Sequence, residues 1–492
     1  MKSAALVRSK WVLACLAIAV AVGLLIRWWL LGASQGAVSA DEAYTGLQAL
    51  RILDGDVPLV IEGQAYTAVL DSYLLAPFFW LFGPSVFVLK LLPMVWWFIA
   101  SALLLRIAMG LRGRAVGVLT GSLFWVAPGC LLVLSTRAYE GYGIGLIAVL
   151  VACLAAQRSV NEPVSVLRTA VIVGSASGLA FYAHPMYSAV VVPLLLVPSF
   201  VHRAKWRRWW LPIVASALFV NVPLLVWNLR NDWATLDQPA DNGSTYMSRL
   251  VVQFSQVIPR VSGLRDLDGS WTLPTLVVGI VLVALAALVA VGLIDLLRGE
   301  PAGRVVASAL VLCWPILAIF RNTNFVADGR YGIVFFPFVL VAFVIGLRVV
   351  TARVRWITVG AAAFVVWCLV LIVPWVDANQ GPRRGDPNVD ASEVVSLVES
   401  RGFDSIAGSF WWVMPVEYLS DRRIRGGVAG EPFTVRIPDS QAKVESTPDD
   451  ELPYVFSAGD EQTDVMRMPI GSYERVEIGD AVVYLPQTKG SG

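Results

Sequence analysis

Long apolar runs separated by short polar stretches dominate the chain. Most runs approach the length of roughly 20 residues that a helix needs to cross a bilayer. We identify eleven such segments, at 11–33, 84–107, 115–135, 141–157, 166–183, 185–201, 209–227, 272–295, 304–320, 331–350 and 356–376. A further apolar stretch, Tyr73–Phe82, is too short to span and predicts an interfacial or re-entrant helix. The pattern therefore predicts an all-α polytopic membrane protein.

Composition supports this class. Of the 492 residues, 57% are hydrophobic and 15% are charged, whereas about 25% of the residues in a soluble domain are charged. All five cysteines lie inside apolar runs, which argues against a disulfide framework and a cysteine zinc site. The sequence contains no glycine-rich phosphate-binding motif and no nucleic-acid-binding signature. We therefore expect membrane lipids, and no nucleic acid, among its partners.

Charged residues in the loops predict the orientation in the membrane. Basic residues gather in alternate loops, of which the string HRAKWRR at 202–208 is the densest. The positive-inside rule makes these loops cytoplasmic, and eleven spans then place the amino terminus inside and the carboxyl terminus outside. The string AVSA at 37–40 resembles a signal-peptidase site. Because the apolar run before it exceeds the usual signal-peptide core of about 7–15 residues, we expect a retained anchor.

The chain divides into a basic part and an acidic part. Residues 1–382 carry a net charge of +10, and residues 383–492 carry −8. In the acidic part, short apolar strings such as YVFSAG and AVVYLP alternate with turn sequences such as TPDD. This alternation is typical of a small α/β domain. We predict a transmembrane domain over 1–382 and an extracytoplasmic α/β domain over 383–492.

The first outside loop, at 34–83, holds the densest set of polar residues. Asp41 and Glu42 follow the first apolar segment directly. Acidic residues at a membrane surface carry a free-energy cost unless they are solvated or have a function. A helix opening at Asp41 would stabilise its carboxylate and place Tyr44 and Gln48 on the same face. An ionised carboxylate there could accept a proton from an attacking hydroxyl. The alternative interpretation is a solvated acidic cap.

A cofactor is not required by these residues. Because Mg²⁺ favours carboxylate ligands, a divalent cation held by Asp41 and Glu42 stays open as an alternative.

The loop sequence beginning DEAYTGLQALRILDGD resembles the first-loop signature of bacterial GT-C membrane glycosyltransferases of the family 39-like group. This group is similar to protein O-mannosyltransferases and to the aminoarabinose transferase of lipid A. The strings YAHP at 182–185, PLLVWN at 223–228 and GRYGIVFFPFVLV from Gly329 onward fit the same group. The resemblance implies a GT-C-type transmembrane domain in the plasma (inner) membrane of a bacterium. It also implies sugar transfer from a polyprenyl-phosphate donor to an envelope lipid, glycan or protein.

The resemblance suggests roles for individual residues. Asp41, the first acid after the first span, would activate the acceptor in an inverting single displacement, and Glu42 matches the adjacent acid of the group. Arg330 and Tyr331 match an Arg-Tyr pair, and arginine binds phosphate in a bidentate manner. Further candidates for donor or acceptor binding are Gln64, Tyr66, Asp71, Arg137, Glu140 and His184. For Arg330, Glu140 and His184, purely structural roles are the alternative.

Two other functional classes stay open from the sequence. A secondary transporter or flippase of an envelope lipid would place charges at the membrane midplane on broken, repeated helices. Here the polar residues cluster at the predicted outer boundary instead. The second alternative is an inactive relative that acts as a scaffold, and the presence of Asp41 argues against it.

Overall fold

The computed structural model of the protein describes residues 2–236, 244–266, 269–321, 329–352, 356–374, 387–430 and 435–487. The domain boundary predicted near residue 382 lies outside these ranges. Up to residue 230, the helices are Lys2–Leu31, Ala40–Leu53, Leu70–Phe82, Val86–Arg112, Arg114–Trp125, Cys130–Leu134, Tyr142–Asn161, Val166–Ala183, Ser188–Val201, Trp206–Val220 and Val222–Arg230. The helices that follow are Tyr246–Val252, Ile258–Val261, Thr275–Arg298, Pro301–Leu317, Phe336–Val350 and Trp356–Val366.

Each of the eleven predicted segments contains helix in the part that the structure describes, but the count of spans is not confirmed. Within the described ranges, five helices are long and apolar enough to cross a membrane on their own, and a pair bent by 91° raises this number to six. Some of the predicted segments are interrupted near a proline or glycine, which disturbs the helical hydrogen bonding. The segment 115–135, for example, divides into Arg114–Trp125 and Cys130–Leu134 around Pro128. The structure thus supports a multi-pass membrane protein.

The first loop folds into its own small unit. Ala40–Leu53 forms a helix, and Val60–Ile61 pairs antiparallel with Gln64–Ala68. The helix Leu70–Phe82 follows, and it contains the stretch predicted as an interfacial or re-entrant helix. These elements connect the first apolar helix to the second, Val86–Arg112.

A mixed five-stranded sheet organises the carboxy-terminal region. The strands lie in the order Arg425–Val428, Ser405–Gly408, Tyr454–Ser457, Ala481–Pro486 and Tyr473–Ile478. The first three are parallel, and the last two join them through antiparallel pairing. The accompanying helices are Val389–Ser400, Phe410–Leu419 and Pro438–Ser446. The α/β character expected from the sequence is present in this region.

The carboxy-terminal domain packs against the first loop. The ring of Tyr418 stacks on Phe79 with 6.4 Å between centroids, and it lies so close to Gly46 that no Cβ would fit there. Arg422 also pairs with Asp54 at 2.5 Å. The helix Ala40–Leu53 therefore lies against both the carboxy-terminal domain and the neighbouring helix Leu70–Phe82.

Candidate active site

The helix Ala40–Leu53, which we call the Asp41 helix, begins with a capping box. The Ser39 hydroxyl accepts a hydrogen bond from the Glu42 N–H at 3.4 Å, and Glu42 Oε2 accepts one from the Ser39 N–H at 3.2 Å. This reciprocal arrangement satisfies two backbone donors at the helix start. It turns Glu42 back toward Ser39. Because an α-helix has 3.6 residues per turn, the preceding Asp41 points in a different direction.

Asp41 contacts Arg330 directly. Asp41 Oδ2 lies 3.2 Å from Arg330 Nη1, and the two side chains are 32% and 26% exposed. Arg330 opens a short 3₁₀ turn, Arg330–Val334, before the helix Phe336–Val350. Its guanidinium also lies 5.1 Å from the centre of the Tyr139 ring. The acid proposed to activate an acceptor and the arginine proposed to bind phosphate thus meet at one place.

This ion pair faces a cavity of about 100 Å³. The cavity is lined by Asp41, Tyr44, Ile61, Gln64, Tyr66, Thr67, Tyr139, Glu140, Tyr142, His184, Arg330, Tyr331, Phe410 and Arg436. Seven of the ten candidates from the sequence belong to this set. The first loop, the 137–142 loop, the 3₁₀ turn and the carboxy-terminal domain all contribute walls.

Aromatic rings surround His184 in the cavity. Its ring centroid lies 5.7 Å from those of Tyr66 and Tyr142 and 6.2 Å from that of Tyr331. Burial, reinforced by the charge of Arg330, lowers the pKa of His184 to about 3, so the imidazole is neutral at pH 7. His184 Nδ1 accepts a hydrogen bond from the Met186 N–H at 3.2 Å, which places the ring proton on Nε2. A neutral, largely aromatic wall of this kind can stack against a sugar ring.

Comparison with solved structures identifies the fold. No protein-family model and no curated protein matches the sequence. The structure resembles ArnT from Cupriavidus metallidurans bound to undecaprenyl phosphate, with a TM-score of 0.64 and 14% identity over 97% of this chain and 98% of that one. It also resembles the oligosaccharyltransferase AglB from Archaeoglobus fulgidus, with a TM-score of 0.52 and 12% identity over 99% of this chain and 75% of that one.

A third similar structure is the arabinofuranosyltransferase AftD from Mycobacteria. Its TM-score is 0.50, with 18% identity over 96% of this chain and 40% of that one. All three similar proteins are members of the GT-C superfamily. The chain has the GT-C fold. The match to ArnT covers nearly the whole of both chains. It therefore includes the amino-terminal helices, the first loop and the carboxy-terminal domain of this protein.

Within the GT-C fold, Glu42 is not in the cavity. Its side chain is fully buried, 2.9 Å from Lys90 Nζ and 2.5 Å from Arg137 Nη1, and Oε1 accepts a hydrogen bond from the Ala138 N–H. Burial alone would raise the pKa of Glu42, but Lys90 and Arg137 outweigh it and lower the pKa to about 2. The structure thus places Glu42 outside the cavity that Asp41 lines, because the capping box directs Glu42 toward these cations.

The position of Glu42 also affects two other expectations, the ligand-binding role of Arg137 and the cation site at Asp41 and Glu42. Arg137, a candidate for donor or acceptor binding, is committed to Glu42 and to the Ala37 carbonyl at 2.6 Å, and it lies outside the cavity lining. A divalent cation between Asp41 and Glu42 does not fit, because the two carboxylates face different basic partners. Among the residues that the structure describes, no group of three or more His, Cys, Asp or Glu side chains could hold a metal ion.

Asp71 and Glu140 form a reciprocal buried pair beside the cavity. Glu140 lines the cavity and accepts hydrogen bonds at 3.0 Å from the N–H groups of Asp71 and Ser72, whereas Asp71 lies outside the lining. Asp71 accepts hydrogen bonds from the Gly141 N–H at 2.7 Å and from Trp96 Nε1 at 2.8 Å. Burial raises the pKa of Asp71 to about 6, and burial and the charge of Asp71 raise the pKa of Glu140. The pair fixes the 137–142 loop to the helix Leu70–Phe82.

Some residues of the site carry no sequence signal. Arg436 and Phe410 reach the cavity from the carboxy-terminal domain, and nothing in their local sequence distinguishes them from other surface or core residues. Tyr44 lies on the helix face predicted for Asp41 and does line the cavity. Lys90 was also missed, although a single lysine inside the apolar run FVLKLLP indicates a buried ionic partner.

Proposed function

We propose that the protein is a bacterial membrane glycosyltransferase. It transfers a sugar from a polyprenyl-phosphate donor to an envelope lipid, polysaccharide or protein outside the cytoplasm. The contact between Asp41 and Arg330 in a cavity of the GT-C fold carries this proposal. It is supported by the bound ligands of similar structures, since ArnT holds undecaprenyl phosphate and AglB holds dolichol phosphate and an inhibitory peptide.

In the proposed reaction, Asp41 acts as the base of an inverting single displacement. An acceptor hydroxyl attacks the anomeric carbon of the sugar while its proton passes to Asp41. The new glycosidic bond forms as the bond between the anomeric carbon and the phosphate oxygen of the lipid breaks. The polyprenyl phosphate departs with the electron pair, and Arg330 stabilises its negative charge. Before the reaction, Asp41 lies in the first turn of its helix and in contact with Arg330.

Donor binding gives Arg330 a second partner. Because Asp41 and Arg330 are both partly exposed, at 32% and 26%, an incoming phosphate can replace Asp41 as the partner of Arg330. The carboxylate would then be released toward the acceptor hydroxyl. Glu42 would act as a positioning residue, since its contacts with Lys90 and Arg137 fix the start of the Asp41 helix.

The proposal includes the orientation in the plasma membrane. We place the amino terminus in the cytoplasm and the domain after residue 382 outside, with about eleven crossing segments. The distribution of basic loops supports this orientation. The site then lies on the outer side, where a sugar on a lipid carrier can meet an envelope acceptor.

A transfer assay tests the proposed function. Purified protein is mixed with radiolabelled polyprenyl-phosphate sugars and an envelope extract as acceptor. Wild-type protein should transfer label, Asp41→Asn should not, and Asp54→Asn should retain transfer because Asp54 lies at the opposite end of the same helix. If no donor tested is turned over by wild-type protein while lipid binding persists, a transporter or a scaffold explains the fold better.

A further inference from the structure

Arg436 brings a buried positive charge from the carboxy-terminal domain to the cavity. The residue is only 7% exposed, and its Nη1 donates a hydrogen bond to the Glu62 carbonyl at 2.8 Å. Its guanidinium lies 5.7 Å from the centre of the Phe410 ring. Burying a cation carries a large desolvation cost. A guanidinium held in a cavity wall despite this cost is well suited to bind a ligand.

Tyr44 provides a second polar group in the same cavity. The residue is 3% exposed, and its hydroxyl has no hydrogen-bond partner among the residues that the structure describes. Tyr44 and Arg436 line the same cavity. Buried hydroxyls normally have a partner. Because Tyr44 lines the cavity, its buried O–H group is available to donate to a ligand atom that enters there.

The two arginines of the cavity belong to different walls. Arg330 contacts Asp41 and Tyr139 on the membrane-domain side, whereas Arg436 contacts Glu62 and Phe410 on the side of the carboxy-terminal domain. Asp41 is the ion-pair partner of Arg330 and also interacts with the charge of Arg436, and His184 is neutral at pH 7. An uncharged ligand would make little use of the second guanidinium.

We propose that Arg436 and Tyr44 form a subsite for an anionic group, a carboxylate or a phosphate, carried by the acceptor. The inference rests on the proposed function, in which Arg330 takes the donor phosphate and Asp41 takes the acceptor proton. The acceptor then binds against the cavity wall formed by the carboxy-terminal domain. Arg436 supplies a charged donor, Tyr44 supplies a hydroxyl donor, and together they determine specificity for acidic acceptors.

Binding of small soluble probes tests the subsite without requiring turnover. The full chain in lipid nanodiscs is titrated with glucose 6-phosphate, glucuronic acid and glucose. Wild-type protein should bind one or both anionic probes at least roughly tenfold more tightly than glucose, because hydrogen bonds to charged groups contribute more than neutral ones. The phosphate and carboxylate probes show which anion the subsite takes.

Matched variants assign any preference to the two residues. Arg436→Gln and Tyr44→Phe should each remove most of the preference for the anionic probes, and Arg436→Lys should retain part of it. Arg422→Gln removes another arginine that contacts the Asp41 helix, and Tyr418→Phe removes another buried hydroxyl without a described partner. Neither residue lines the cavity, so both variants should bind the probes like wild-type protein. Tyr44→Phe removes one oxygen only, which keeps the test valid if Arg436→Gln misfolds.

Two results would overturn the proposal. One is equal binding of all three probes to wild-type protein, and the other is an unchanged preference in both Tyr44→Phe and Arg436→Lys. Binding of polyprenyl phosphate is measured on the same samples and should weaken in Arg330→Gln only. If the anion preference is present but wild-type protein turns over no lipid-linked sugar, the proposed function fails and the subsite stands.

Discussion

Lys90 Nζ lies 2.9 Å from Glu42 Oε1, and both side chains are almost completely removed from solvent. Arg137 completes a buried group of three charges around the start of the Asp41 helix. A buried charge is tolerated only with its partners in place. The orientation of Asp41 therefore depends on charged residues that do not line the cavity.

Replacing Lys90 by methionine should destabilise the protein strongly. The change leaves Glu42 with one cation fewer in a buried site, and breaking such a pair costs about 3–5 kcal/mol. The thermal midpoint should fall, and transfer activity should fall with it. The matched control is Lys443→Met, because Lys443 pairs with Asp404 at the surface and exposed pairs contribute little. Equal midpoints for the two variants would contradict a stabilising role for the buried group.

Replacing Gly46 by valine should separate the carboxy-terminal domain from the first loop. A side chain at Gly46 would overlap the ring of Tyr418, and that ring is part of the docking surface. We expect faster proteolysis of the carboxy-terminal domain and reduced transfer. Gly279→Val is the comparison, because a Cβ at that helical position meets no atom within 4 Å. Unchanged proteolysis of the Gly46 variant would show that docking does not depend on this contact.

Protonation of Asp71 should couple stability to pH. The pKa of Asp71 is raised from 3.8 to about 6 on folding, chiefly by burial, so between these values the folded protein binds more protons than the unfolded chain. The Asp71 contribution is present at pH 4 and is lost as the pH rises through 6. The stability of wild-type protein relative to Asp71→Asn should therefore decrease by up to about 3 kcal/mol from pH 4 to 7. If the stability difference between wild-type protein and Asp71→Asn is constant or increases with pH, Asp71 does not have a raised pKa in the folded protein.

His184 should influence the rate without titrating between pH 5 and 8. Its pKa of about 3 keeps the ring neutral over that range, whereas its stacking with Tyr66 and Tyr142 shapes the cavity wall. His184→Asn should lower kcat/KM and leave the shape of its pH profile unchanged, while His202→Asn should alter neither. A wild-type inflection near pH 6.5 that disappears in His184→Asn would contradict a neutral role.

The sequence predicts the positions of helices and single candidate residues better than it predicts the contacts between distant parts of the chain. The apolar runs locate the membrane helices, and the Ser39–Glu42 spacing marks the start of the Asp41 helix by a local rule. The direction of Glu42 depends on Lys90 and Arg137, which lie 48 and 95 residues away. The resemblance to GT-C enzymes suggested Arg330, but Arg436 required the docked position of the carboxy-terminal domain. Local sequence patterns cannot predict these contacts, because the contacts form only when distant parts of the chain pack together.

The most direct test of the central claim is the single-turnover rate of sugar transfer at saturating donor, compared between wild-type protein and Asp41→Asn. Donor binding is measured on both proteins to separate affinity from chemistry. Loss of a general base should lower the rate by roughly 10²- to 10⁴-fold, while the donor dissociation constant stays within about threefold. A rate for Asp41→Asn close to that of wild-type protein would show that Asp41 is not the base.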